Sequence, residues 1–138
     1  MLKNKTVFVT GAYGHLGKSI SKICLKNNAN LILQGRDLNK LNLLKETLEK
    51  NFKKKIDIAN FDLNDHDSVE YYFNNFKKKL DVLINNAHST KMGSFENISN
   101  SDFLDALNNN VVSAYNLIKI TKKFLIRNSK KDSSSIIN

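Results

Sequence analysis

Three glycines, Gly11, Gly14 and Gly17, recur at a spacing of three within Thr10-Gly11-Ala12-Tyr13-Gly14-His15-Leu16-Gly17. This stretch follows an apolar, β-rich run, Thr6-Val7-Phe8-Val9, and precedes a helical pattern. Between a strand and a helix, such a spacing describes a phosphate-binding turn. Gly11 can take backbone angles closed to a side chain, Gly14 leaves room for a pyrophosphate to approach, and Gly17 lets the helix sit close on the sheet. The helix N-terminus then offers unpaired N–H groups and partial positive charge to an anion. A glycine triplet alone also describes an ordinary turn, so the chemistry depends on what else gathers at the same end of the sheet.

Hydrophobic periodicity gives the elements that would do the gathering. Residues 5–9 read as a short buried strand, and 15–27 as a helix with Leu16, Ile20 and Ile23 on one face. Leu31-Ile32-Leu33 is a second strand. A helix over 38–52 carries Leu41, Leu44, Leu48 and Phe52 on one stripe, with Leu43 flanking it. A third strand over 56–61 leads to a helix over 65–76 with Val69, Tyr72, Phe73 and Phe76 inward, and Leu80-Asp81-Val82-Leu83-Ile84 is a strand buried on both faces. After an irregular segment, 88–99, a long helix over 101–127 is apolar nearly all round. Phe103, Leu107, Ala114, Ile118 and Leu125 are expected on one side, with Leu104, Val111, Tyr115 and Phe124 around the others. Ile136-Ile137-Asn138 opens a fifth strand. Strands alternating with helices of this length imply right-handed β-α-β units, hence an α/β fold with a doubly wound parallel sheet of the Rossmann type. Its ligands lie at the carboxyl ends of the strands.

Composition narrows the class. The chain has 138 residues, of which 41% are hydrophobic and 25% charged, with no proline, which suits one globular domain over 1–138. No leader-like apolar segment precedes residue 5 and no stretch reaches the length of a membrane span, so a cytoplasmic location with no membrane partner is expected. Cys24 is the one cysteine and reads as a small buried hydrophobe; no metal site is expected. The net charge of +9 invites a nucleic-acid reading, but only Arg36 and Arg127 are arginine, and Lys53-Lys54-Lys55 and Lys77-Lys78-Lys79 fall where helices should end. Solvated helix ends account for them, and no nucleic-acid partner is expected.

Further motifs stand where the strands should end: Gly35-Arg36-Asp37, Asp62-Leu63 and Asn85-Asn86-Ala87. With the glycine turn, with Asp62-Leu63-Asn64-Asp65 leading to Ser68-Val69, and with Asn110-Val111 in the long helix, they resemble the short-chain dehydrogenase/reductase family over residues 5–138. The resemblance implies a dinucleotide cofactor, NADP or NAD, and a small carbonyl or alcohol substrate. Cofactor contacts would come from Thr10, Gly11, Tyr13, Gly14, His15, Leu16 and Gly17 in the turn, and from Arg36, Asp62, Leu63, Asn86 and Ala87. Asp62 would accept the adenine amine while Leu63 packs on the ring, or else it caps the next helix. Asn86 belongs to a motif whose amides pin neighbouring backbone. Gly35 stands where NAD-preferring folds usually carry an acidic residue, and Arg36 after it suits a 2′-phosphate, so NADP is expected over NAD; Arg36 as a solvated charge, or Asp37 reaching the ribose, are the alternatives.

Two departures stand out. The middle glycine is Gly14 where the family's commonest form would have it at His15, a spacing similar to its extended and sugar-modifying members. His88 replaces the glycine that usually follows the Asn-Asn-Ala motif, and its imidazole either approaches the cofactor or is solvated.

In the family a tyrosine transfers the substrate proton, a lysine lowers its pKa and holds the ribose, and a serine orients the carbonyl. Asn110 resembles the helix asparagine that holds that lysine through a water. The serine would follow the fifth strand and the Tyr-x-x-x-Lys pair would lie on the next helix, both beyond Asn138. The 138 residues are therefore expected to be the amino-terminal portion of such an oxidoreductase, inactive alone, with the full-length protein a homo-oligomer. The alternative is a non-catalytic dinucleotide-binding or interaction module. Tyr115 and Lys119 fit the Tyr-x-x-x-Lys pattern but precede the fifth strand, and they read as packing and solvated residues. Ser133, Ser134 and Ser135 lie at the wrong end of that strand.

Overall fold

The computed structural model describes residues 2–89, 93–125 and 133–138. In chain order the elements are β1 (Thr6–Val9), α1 (His15–Lys26), β2 (Asn30–Gly35), α2 (Leu38–Phe52), β3 (Asp57–Asn60), α3 (His66–Asn74), β4 (Val82–Ile84), α4 (Asn100–Leu107), a π-helical turn (Asn108–Val112), α5 (Ser113–Leu125) and β5 (Ser135–Ile137). The strands form one parallel sheet in the order β3-β2-β1-β4-β5. The chain thus winds outward from β1 in one direction, returns, and winds outward in the other. The carboxyl ends of β1 and β4 mark the point of reversal, where such sheets open a crevice.

Period-two alternation in the strands divides the apolar side chains between two cores. Val7, Val9, Leu31, Leu33 and Ile84 face α1 and α2, meeting Cys24, Leu25, Leu41, Leu44 and Leu48. Phe8, Ile32, Ala59 and Leu83 face α3 and α5, meeting Val69, Phe73, Leu117 and Leu125. The doubly wound parallel sheet expected from the sequence is the fold observed. Cys24 is buried as expected, and burial pushes its thiol pKa up. At the amino ends of β1 and β4, the buried Asp81 carboxylate accepts the Thr6 N–H at 2.9 Å and pairs with Lys5 at 3.3 Å, far from the crevice. No helix among the described residues is long and apolar enough to cross a membrane.

Two helix faces differ from the periodicity. In α1, Leu16 and Ile23 are 61% and 59% exposed, and the side facing the sheet is Gly17, Ser21, Cys24 and Leu25. The cause is steric: a Cβ on Gly17 would stand 2.3 Å from the Gly11 carbonyl oxygen, so the helix is rotated to put its smallest residue against the turn. In the long helix, the inward residues are Ser113, Leu117, Thr121 and Leu125. Phe103 and Leu107, expected on the same side as Leu125, are exposed. The π-helical turn at 108–112 shifts the phase between α4 and α5, so a single 3.6-residue repeat cannot be carried across it. Leu104, Val111, Val112 and Tyr115 are exposed as well, leaving an uncovered apolar face. Arg127 and Lys130 to Asp132 lie outside the described residues.

Both lysine runs follow helices, and their members are exposed or, at Lys54, half-buried, though several of them also make surface or capping contacts. Lys53 closes α2 in the left-handed conformation with φ 50°, Lys54 Nζ donates to the Asn28 carbonyl at 2.9 Å, and Lys78 pairs with Asp57.

Candidate functional site at the carboxyl ends of the strands

The glycine turn joins β1 to α1 at the point of reversal. Gly11 has φ +60°, and a Cβ there would stand 2.9 Å from Ala87 Cα, so only glycine fits between the turn and the segment after β4. That segment is lashed to the turn by polar groups. The buried Thr10 hydroxyl accepts the N–H groups of Asn86 at 2.8 Å and Ala87 at 2.9 Å and donates to the Ile84 carbonyl at 3.2 Å. Asn86 Nδ2 returns the tie, donating to the carbonyls of Thr10 at 2.9 Å and Gly11 at 3.2 Å. Sequence patterns place these residues on separate strand ends; the sheet brings them into contact.

The carboxyl ends of β1 to β4 enclose a cleft of about 580 Å³. Gly11, Tyr13, Gly14, His15, Leu16, Arg36, Asp62, Leu63, Asn86 and Ala87 line it, so ten of the residues singled out from sequence meet around one space. Thr10 and Gly17 lie behind the wall and shape it. His88, beside Asn86, also lines the cleft, with Nδ1 3.3 Å from the Asn86 carbonyl oxygen. A wider groove of about 730 Å³ runs along the outer edge of β3 beside Tyr71, Tyr72 and Phe76, but none of the residues expected to contact a cofactor lines it.

At one end of the cleft Arg36 and Asp62 face each other at 3.7 Å. The helix-cap alternative for Asp62 is overturned: Asp65 caps α3, accepting the Ser68 N–H at 3.2 Å, while Asp62 accepts the Asn64 N–H at 2.9 Å. The Ser68 hydroxyl and N–H hold the Asp65 carboxyl below the usual carboxylate range. Asp37 is also engaged. It caps α2 by accepting the Lys40 N–H at 3.0 Å, which lowers its pKa, and it pairs with Lys40 Nζ at 3.4 Å.

Asn110 lies outside the cleft lining. Its Oδ1 accepts the Ser89 N–H at 2.7 Å, tying the π-helical turn to the segment after β4. Its neighbour Asn109 lines the cleft instead and accepts from Asn64 Nδ2 at 2.8 Å. In the run Asn108-Asn109-Asn110 no sequence signal separates these roles, because the π turn sets which amide points where. Tyr115 and Lys119 are exposed on α5 and do not line the cleft.

Gln34 also lines the cleft and escapes the motif reading. Its signal was present: a lone amide at the end of the apolar run Leu31-Ile32-Leu33.

Comparison with known proteins agrees with this geometry. The family model described as short chain dehydrogenase matches residues 5–138, and the chain belongs to that family. It is 28% identical over 141 residues to the 3-oxoacyl-acyl-carrier-protein reductase of Chlamydia trachomatis, covering all of this chain and 56% of that protein. It is 35% identical over 91 residues to the post-translational flagellin modification protein A of Campylobacter coli, covering 64% of this chain and 36% of that protein. Among solved structures, the alcohol dehydrogenase from Thermococcus sibiricus complexed with 5-hydroxy-NADP superposes with a TM-score of 0.81 at 20% identity, over 89% of this chain and 54% of that one. The short-chain dehydrogenase from Sphingobium yanoikuyae in complex with NADPH gives 0.78 at 21% identity, over 96% and 51%. These two share the fold. The chain spans about half the length of the relatives it matches along its whole length.

Proposed function

We propose that the cleft binds a dinucleotide, NADP in preference to NAD, and that the chain is the cofactor-binding part of an oxidoreductase. The full protein would move hydride between nicotinamide and a carbonyl or hydroxyl carbon of a small molecule. One observation carries the reading. The helices α2, α3 and α4 are each closed by a side chain, Asp37, Asp65 and Ser99, whereas α1 starts at Gly14 with no side-chain cap and no acidic residue in its first turn. That bare end opens into the cleft through Gly14, His15 and Leu16. An anion there meets unpaired N–H groups and the positive end of the helix dipole. The residues present therefore fit a pyrophosphate.

The rest of the cleft suits the remainder of such a ligand. Asp62 offers a carboxylate for an exocyclic amine and Leu63 an apolar surface for its ring. Arg36 is 73% exposed at the rim, and its pairing with the half-exposed Asp62 is worth only about 0–1 kcal/mol. A 2′-phosphate forms stronger, charge-assisted bonds with a guanidinium and would displace it. Asp37, the residue that could instead favour the unphosphorylated ribose, is engaged in capping α2. The solved relatives bound to NADPH and 5-hydroxy-NADP point the same way. When bound, the cofactor supplies the hydride donor or acceptor. This chain's residues bind and orient it: Thr10 and Asn86 hold the turn, and Asn110 holds the segment after β4. Calorimetric titration with NADP and with NAD tests the reading. Tighter binding of NADP is expected, and tighter binding of NAD would overturn the preference.

A further inference from the structure

Strand β2 places an amide where its neighbours are apolar. Gln34 is 2% exposed, and burying an amide is costly unless both its ends are paired. Both are paired, to different parts of the site. Nε2 donates to the Phe61 carbonyl at 2.8 Å, and Oε1 accepts the Gly11 N–H at 3.3 Å. The Gln34 main-chain carbonyl also accepts the Ala12 N–H at 2.9 Å. Gly11 opens the turn at the phosphate end of the cleft; Phe61 immediately precedes Asp62 and Leu63 at the other end. A leucine or valine here would suit a strand buried on both faces, yet it would leave Gly11 N–H and Phe61 C=O without these partners.

We propose that Gln34 is a positioning residue that sets the spacing between the two ends of the cleft, so that a dinucleotide engages both at once. The inference rests on the dinucleotide reading above and deepens it. A ligand that spans both ends gains from a site held at the right separation, whereas a ligand that touches one end does not. The roles divide accordingly: the turn and the Asp62 end make contact, and Gln34 acts through them.

The test compares two probes on the full 138-residue chain. NADP spans the cleft; adenosine 2′-monophosphate, lacking a 5′-phosphate, engages the Arg36 and Asp62 end alone. Gln34→Met keeps the length and removes both bonds, and it should weaken NADP about tenfold while changing adenosine 2′-monophosphate by less than about twofold. Equal losses on both probes, or no loss on NADP, would overturn the proposal. Gln34→Glu gives an independent arm within one protein. Protonated, its carboxyl can donate to Phe61 and accept from Gly11 as the amide does; ionised, it turns a lone pair on the Phe61 carbonyl and adds charge beside the phosphate end. Burial raises a glutamate above about 4.3. The ratio of NADP dissociation constants, variant to unaltered chain, should therefore stay near one at pH 5.5 and rise at least about tenfold by pH 8.5. Taking the ratio cancels the titration of NADP itself and the contributions of Arg36 and Asp62, which both proteins share. A ratio that remains near one at pH 8.5 would overturn the proposal even if Gln34→Met failed to fold. Absence of NADP binding by the unaltered chain would overturn the dinucleotide reading, and the positioning role of Gln34 with it.

Discussion

Replacing Thr10 by valine should destabilise the chain more than replacing it by serine, although valine is closer in shape. Thr10 is 1% exposed, and its hydroxyl accepts two N–H groups, from Asn86 at 2.8 Å and Ala87 at 2.9 Å, and donates to the Ile84 carbonyl. That carbonyl also accepts the Thr10 N–H at 3.0 Å, so it keeps a partner in the valine variant. The two N–H groups do not. An unsatisfied buried donor costs roughly 1–3 kcal/mol. Asn86 and Ala87 are only half-buried, so the lower end applies and the sum is about 2–3 kcal/mol. Thr10→Ser retains the hydroxyl and loses one methyl, about 1 kcal/mol. Urea unfolding followed by circular dichroism, with a slope of roughly 1–3 kcal/mol per molar, should show the valine midpoint lowered by about 1–2 M and the serine midpoint by about half a molar. NADP affinity should fall with valine, because the turn loses its tie to the segment after β4. A valine variant as stable as the serine variant would refute the reasoning.

Arg36→Gln should weaken NADP by about 10- to 100-fold, the range for losing a charge-assisted hydrogen bond, and leave NAD within about twofold; equal effects in calorimetry would remove Arg36 from selectivity. The Tyr72 phenol is pushed up to about 12 by burial first and then by the nearby Asp57 charge, against an unfolded value near ~10. Its folded pKa is raised, so the stability it contributes is fully present below about pH 10 and lost as pH rises towards 12. Alkaline unfolding followed by phenolate absorbance should shift to higher pH in Tyr72→Phe. The 138 residues assayed alone should show no cofactor-dependent turnover, because the Tyr115 and Lys119 pair does not line the cleft, Tyr13, which does, carries Lys40 Nζ over its ring face at 5.7 Å from the centroid, and general acid–base groups are worth about 10² to 10⁴ in rate. Any turnover abolished by Tyr115→Phe would show that pair to be catalytic. The exposed Phe103, Leu104, Leu107, Val111, Val112 and Tyr115, with the edge strand β5 bearing exposed Ile136 and Ile137, should drive self-association at micromolar concentration. A monodisperse monomer with a cooperative melt in light scattering would contradict this.

The sequence by itself determined what depends on neighbours along the chain. The apolar runs, the stripe Leu41, Leu44 and Leu48, and the glycine turn specified alternating strands and helices and hence a doubly wound parallel sheet, because periodicity and turn chemistry act over a few residues. The motif residues at the strand ends were legible for the same reason: a fold of this class sends its strand ends to one side. What required distant segments to meet was decided only by tertiary structure. The rotation of α1 follows from Gly17 pressing on the Gly11 carbonyl, which overrides the apolar stripe of Leu16, Ile20 and Ile23. The helix caps are local contacts, Asp37 to Lys40 at the start of α2 and Asp65 to Ser68 at the start of α3, yet that Asp65 rather than Asp62 takes the second turns on backbone angles that composition does not record. The phase of the long helix changes at a π turn whose asparagines look alike in sequence, so Asn109 enters the cleft while Asn110 holds Ser89. Gln34 shows the division most clearly. Its isolation in an apolar strand was visible, but its two partners, 23 and 27 residues away, become partners only when the sheet closes.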